Sequence, residues 1–215
     1  LYRRGNHQAA RLARILIRLI RMTDHEPAAL VQVGVGVSPE AGIFRRHFPS
    51  LRIVGMDPNA MRDVYPGEYY RVAIADYNGQ VAFQCRRRGR EDVSSVYRSE
   101  QGGGKVDCRT LDYMMCQIAL TRKPICLWMD CEGSEFSAMK GGRQTLAQSD
   151  WVYVENVSDA DLTDGRRAAG WPPAHCVRDV MESAGFEIAG EYGCDLVYVR
   201  TGIHRRRRRR DSKAK

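Results

Sequence analysis

Five unbroken apolar residues, 125–129, run straight into Asp130-Cys131-Glu132-Gly133-Ser134-Glu135, a window that holds three carboxylates. Such a run reads as a buried strand opening into an acidic loop. In an open α/β sheet, ligands sit at the carboxyl ends of the strands, so this loop is the candidate active site. The pattern recurs along the chain. Residues 30–33 end in Gly34 and Gly36, residues 52–56 close on Asp57-Pro58-Asn59, residues 70–75 end at Asp76, and residues 151–155 end at Glu155. Between them lie segments of helical length, expected at about 39–47, 110–121, 134–147 and 175–184. Strands separated by such segments imply βαβ units and a largely parallel sheet with helices on both faces.

Other stretches read less regularly. Residues 81–84 are an extended piece after an Asn78-Gly79 turn. The arginines at 86–88 and 90 and the glycines at 102–104 mark an irregular middle, and residues 156–173 form a polar loop containing Trp171-Pro172-Pro173. These two segments are the expected acceptor walls or lids. Residues 186–191 and 196–200, joined at Tyr192-Gly193, read as a closing antiparallel hairpin. Residues 8–22 place Leu12, Ile15, Leu16, Leu19 and Ile20 at helical spacing, with Arg11, Arg14, Arg18 and Arg21 mostly on the other side. This basic amphipathic helix is expected to pack over one edge of the sheet.

Length allows one sizeable α/β domain, at residues 25–203, preceded by the helical segment 1–24 and followed by a disordered arginine-rich tail, 204–215. The net charge of +8 belongs to the ends: residues 205–215 carry +7 and residues 1–22 carry +6, leaving the body near −5. Seven cysteines, an odd number without a C-x-x-C pair or zinc-like histidine spacing, indicate free thiols in a reducing, cytoplasmic setting. No stretch approaches the ~20 uncharged residues that span a bilayer. Six consecutive arginines at 205–210 would suit nucleic acid or another acidic partner.

Gly34 and Gly36 let the backbone turn sharply and approach a ligand closely. The third position of a dinucleotide fingerprint is Pro39, which argues against a nicotinamide enzyme. Asp57, about twenty residues beyond the glycines, is placed to accept both hydroxyls of a ribose; its other reading is a turn or cap aspartate before Pro58. Asp76 can meet an adenine amino group or simply start a turn.

Val33-Gly34-Val35-Gly36, Gly55-Met56-Asp57-Pro58-Asn59, Ala73-Ile74-Ala75-Asp76-Tyr77-Asn78-Gly79, Arg109-Thr110-Leu111-Asp112, the Trp128 to Glu135 tract, Met139-Lys140-Gly141-Gly142 and Val154-Glu155 follow the order seen in FkbM-type methyltransferases. The chain resembles that family from about residue 30 to 200. The resemblance implies a Rossmann-like class I methyltransferase fold: a mostly parallel seven-stranded sheet with a C-terminal antiparallel hairpin. It also implies S-adenosylmethionine as cofactor, and usually a hydroxyl oxygen as acceptor, on a small molecule, glycan or lipid. Two positions depart from the family pattern. Gln32 stands where an acid is common, and Val35-Gly36 replaces a small residue plus asparagine.

On this reading Gln32, Gly34, Gly36, Asp57, Asp76 and Asp130 bind the cofactor. Asp130, then Glu132, then His175 are candidates to take the acceptor's proton in the transition state. Asp130 with Glu155-Asn156 can alternatively converge on a divalent cation, a layout similar to that of catechol-type O-methyltransferases. Glu135 can serve as a first-turn acid of the helix that follows. Rival classes are an RNA-binding protein or RNA methyltransferase using the tail, and a noncatalytic nucleoside-binding Rossmann-like protein.

Overall fold

A computed structural model of the chain describes residues 2–36, 39–59, 65–88, 91–95, 104–156 and 173–203. The tail 204–215, residues 157–172 of the polar loop, the glycines at 102 and 103 and the side chains of the arginine run at 86–90 lie outside the described residues. The strands are β1 (Ala29–Val33), β2 (Arg52–Met56), β3 (Glu68–Tyr70), β4 (Ala73–Ile74), β5 (Gly79–Arg88), β6 (Glu91–Ser95), β7 (Gly104–Arg109), β8 (Ile125–Met129), β9 (Ser149–Glu155), β10 (Phe186–Tyr192) and β11 (Asp195–Arg200). The helices are α1 (Tyr2–Arg21), α2 (Glu40–His47), α3 (Leu111–Gln117), α4 (Glu135–Lys140), α5 (Arg143–Gln148) and α6 (Ala174–Ser183).

Seven strands form the main sheet in the order β10-β11-β9-β8-β1-β2-β3. β1 runs parallel to both β2 and β8, β8 is parallel to β9, and β11 is antiparallel to β9 and β10. This is the architecture the resemblance implies. Every residue of β1 and β8 is buried, as expected for central strands covered on both faces. Val31, Val33, Leu127, Met129, Val152 and Val154 pack toward α3, α4, α5 and α6. Leu30, Cys126, Trp128, Trp151 and Tyr153 face α1 and α2. The strand order reverses between β1 and β8, and a crevice opens there at the carboxyl ends.

The helix α1 covers the face of the sheet over β9 instead of an edge. It buries Leu12, Ala13, Leu16, Ile17 and Ile20, and each of the four larger side chains contributes about 1.5–3 kcal/mol. Arg11, Arg14, Arg18 and Arg21 are exposed. Gln8 on this helix donates to the carboxylate of Asp195 on β11.

Three expectations are corrected. The single helix expected over 134–147 is two helices, broken at Gly141-Gly142, because a Cβ on Gly141 would lie 2.2 Å from the Ala75 carbonyl oxygen. Asp112 caps the second of them: its carboxylate accepts from Gln144 N (3.0 Å), Thr145 N (2.8 Å) and the Thr145 hydroxyl (2.7 Å). The strand expected over 70–75 is also two, since β3 pairs with β2 while β4 pairs with β7 in another sheet. That second sheet, β4-β7-β5-β6, occupies the middle read as irregular. Its far end, the arginine-rich part of β5 with β6, lacks the apolar alternation by which a strand is read from sequence, while Ala73, Val81, Val106 and Cys108 form a small apolar cluster at the near end. Among the described residues, no helix is long and apolar enough to cross a membrane.

Candidate active site

The crevice begins where β1 ends. Gly34 has φ +78°, and a Cβ there would lie 1.8 Å from the Asp130 carbonyl oxygen. Both the left-handed backbone and the close approach of β8 therefore demand glycine. Gly34 N donates to Met56 O and Asp130 N donates to Val33 O, each at 2.9 Å, so the tips of β1, β2 and β8 are tied together. Gly36 is also left-handed (φ +49°), yet a Cβ on it would meet nothing within 4 Å. Its backbone borders open space.

Asp57 is 6% exposed and stitches this turn to β2. Its Oδ2 accepts from Val35 N (2.9 Å) and Gly36 N (3.3 Å), and its Oδ1 accepts from Asn59 N (2.7 Å). The turn role is thus filled, and among the described residues one lone pair of Oδ1 receives no donor.

Gln32 is fully buried on β1, and its Oε1 accepts from the Tyr65 hydroxyl at 2.7 Å. The Tyr65 ring fits because Gly55 lacks a side chain; a Cβ there would be 2.6 Å from the ring. Glu40, in the first turn of α2, is 2% exposed, and among the described residues its Oε2 has no hydrogen-bond partner. Burial pushes the Glu40 carboxyl up to about 7.

Across the crevice, Asp130, Glu132 and Glu155 can each bring one carboxylate oxygen within 4.8 Å of the others. The turn carrying the first two passes through left-handed Glu132 (φ +53°) and Gly133 (φ +98°). Burial, and then the charge of Glu132, raises the Asp130 carboxyl well above the ordinary range. Burial, and then the charge of Asp130, does the same to Glu155. Oε2 of Glu155 is buried and has no hydrogen-bond partner among the described residues, while Oε1 lies 3.9 Å from Cys194 Sγ. Behind the cluster, the Tyr153 hydroxyl donates to Asp195 Oδ1 at 2.5 Å, and the Tyr153 ring stacks on Trp128 at 3.8 Å. Glu135 braces the turn from within: its oxygens accept from Cys131 N (2.7 Å) and Gly133 N (2.9 Å). The crevice is therefore strongly acidic, and burial raises the carboxyls of Glu40, Asp130 and Glu155. It suits a cationic ligand and can accept a proton.

Neither Asp76 nor His175, both singled out from sequence, belongs to the cluster of three gathered acids. Asp76 accepts from the Ser137 hydroxyl (3.0 Å) and pairs with Lys140 (2.8 Å), which holds its carboxyl below the usual range. His175 lines a groove of about 560 Å³ between α4, α5 and α6, with Phe136, Met139 and Arg143 among its other walls. None of the clustered acids lines that groove. Glu40, Tyr65 and Asp195 are residues of the crevice that sequence reading passed over. Gly55, a glycine inside a strand, was the available signal for Tyr65.

Comparison with known proteins adds a family. The model of the methyltransferase FkbM domain matches residues 23–188. The chain is similar to the 2-O-methyltransferase NoeI of Sinorhizobium fredii, with 26% identity over a 200-residue alignment that covers 81% of this chain and 79% of that protein. Among solved structures it is similar to the sugar N-methyltransferase KedS8 of a Streptoalloteichus species (TM-score 0.49, 13% identity, 93% of this chain and 91% of that one). It is also similar to DesVI of Streptomyces venezuelae (TM-score 0.49, 12% identity, 92% of this chain and 94% of that one).

Proposed function

The chain belongs to the FkbM methyltransferase family, and from that premise we propose that it transfers a methyl group from S-adenosylmethionine to a hydroxyl oxygen of a small molecule, glycan or lipid. The observation that carries the reading is the crevice at the β1/β8 tips. There a glycine turn bordering open space faces Asp130, Glu132 and Glu155, three carboxylates gathered within 4.8 Å of one another. The oxygen acceptor is supported by the similarity to a 2-O-methyltransferase.

The residues fit this cofactor. Backbone at Gly34 and Gly36 can approach it without a Cβ, the open lone pair of Asp57 Oδ1 suits a ribose hydroxyl, and the buried acids suit a cation. When bound, S-adenosylmethionine supplies a methyl group on a sulfonium sulfur, open to in-line displacement. The protein's part is alignment and proton removal. Asp130 is the proton acceptor: its raised carboxyl is a stronger base than a free carboxylate and takes the hydroxyl proton as the new bond forms. Glu132 shares its cavity and is placed to share the proton.

Calorimetry with S-adenosylmethionine and S-adenosylhomocysteine tests the cofactor, and incorporation of tritiated methyl into fractionated extract tests the transfer. The Asp130→Asn variant is expected to keep cofactor affinity within about threefold and to lose roughly a hundredfold or more of turnover. Unchanged turnover would remove Asp130 from the chemistry.

A second reading takes Asp130, Glu132 and Glu155 as ligands of a divalent cation that orients the acceptor and lowers its pKa. It is favoured by the orphaned Glu155 Oε2. The same assay after chelation with EDTA decides between the two. Full turnover leaves proton acceptance by Asp130, whereas loss restored by Mg²⁺ or Mn²⁺ establishes the cation.

A further inference from the structure

We propose that Glu40 holds the methionyl ammonium of the cofactor, supplying from α2 the negative charge that β1 lacks at Gln32. The inference rests on the methyltransferase reading and adds to it a residue that neither the glycine turn nor the strand tips would nominate.

Glu40 is 2% exposed and its Oε2 is orphaned, an arrangement that costs free energy unless a donor or cation arrives. No cation of the described residues pairs with it. Arg45, the nearest charge on the same helix, spends its guanidinium on the carbonyls of Pro49 (3.3 Å), Leu51 (2.8 Å) and Pro66 (3.3 Å). Glu40, buried in the first turn of α2, is close enough to act electrostatically on both Asp130 and the Tyr65 phenol. That phenol is already committed to Gln32, which is neutral.

The cofactor carries two positive centres, and their chemistry differs. A sulfonium has no N–H to donate, whereas an ammonium carries three donors and satisfies an orphaned carboxylate oxygen directly. The sulfonium must also stand beside the acceptor and so beside Asp130 and Glu155, which leaves the ammonium for the α2 side of the crevice.

Three ligands separate the possibilities: S-adenosylmethionine, S-adenosylhomocysteine, which lacks the sulfonium charge, and 5′-methylthioadenosine, which lacks the amino-acid portion. Calorimetry on Glu40→Gln is expected to show at least a tenfold loss for the first two and a change within twofold for the third. The glutamine keeps the shape and removes a buried ionisable group, so the melting temperature is expected to equal or exceed that of the wild type. Unchanged binding of all three would make Glu40 a neutral acid of the helix start and overturn the proposal. A loss confined to S-adenosylmethionine would assign Glu40 to the sulfonium instead, and an equal loss of all three would make it a structural residue of the adenosine pocket. Each of these also overturns it. Failure of the wild-type chain to bind any of the three would sink the methyltransferase reading itself.

Discussion

Asp57 shows how much one carboxylate does at this site. Its Oδ2 receives two backbone N–H groups of the glycine turn, so an amide NH2 in that place would set donors against donors. Leaving buried donors unsatisfied costs about 1–3 kcal/mol. Asp57→Asn is therefore expected to weaken S-adenosylhomocysteine and 5′-methylthioadenosine alike, by about tenfold or more, in contrast to the selective loss expected for Glu40→Gln. Calorimetry with the two ligands checks it, and retention of 5′-methylthioadenosine affinity would contradict a turn-and-ribose role. Gly34, Gly36, Asp57 and Asp130 were legible as strand-tip residues because glycine and acid directly after an apolar run carry a local signal. Glu40 was not: in sequence it is an ordinary first-turn acid, and only the folded structure shows it buried.

At the level of elements, the apolar runs translate directly into β1, β2, β8 and β9, whereas the connections between them do not. Periodicity reports which face a segment buries but cannot report a break imposed by a distant carbonyl. The break between α4 and α5 is such a case, since Gly141 is held against Ala75 from the β4 side. Its φ of −80° suits any residue, so the requirement for glycine is one of space alone. Gly141→Ala is expected to destabilise the protein by about 1–3 kcal/mol, read as a lower urea midpoint at unchanged slope. An unaltered midpoint would mean that the contact yields without cost. The second sheet was legible only in part: residues 70–75 and 81–84 read as extended and overlap β4 and β5, whereas the more polar β6 and β7 did not read as strands.

For the whole molecule, the crevice acids set how stability varies with pH. The Glu40 and Glu135 carboxyls are each raised from 4.5 to about 7, with burial the leading cause, and Asp130, Glu155 and Asp195 are raised as well. A carboxyl whose folded pKa exceeds its unfolded value keeps its proton longer in the folded state. Stability is then full below the unfolded pKa and is lost as pH rises through the folded one. Asp76 and Glu68, lowered by Lys140 and Arg52, act in the opposite sense at more acidic pH, where unfolded carboxyls titrate. Scanning calorimetry of the cofactor-free protein is therefore expected to give its highest melting temperature near pH 5, falling toward pH 7.5. A rise over that interval would show that these acids are not buried as described.

The place of β11 in the main sheet governs how the chain can be made. It lies between β9 and β10, although it follows both in the chain, and among the described residues β10 has no other neighbour in that sheet. Until residue 200 emerges, β9 has an open edge and β10 has nothing to pair with. The final insertion closes both gaps at once. The family match ends at residue 188, short of that insertion, so a fragment cut to those limits would present an unzipped sheet and a ready template for self-association.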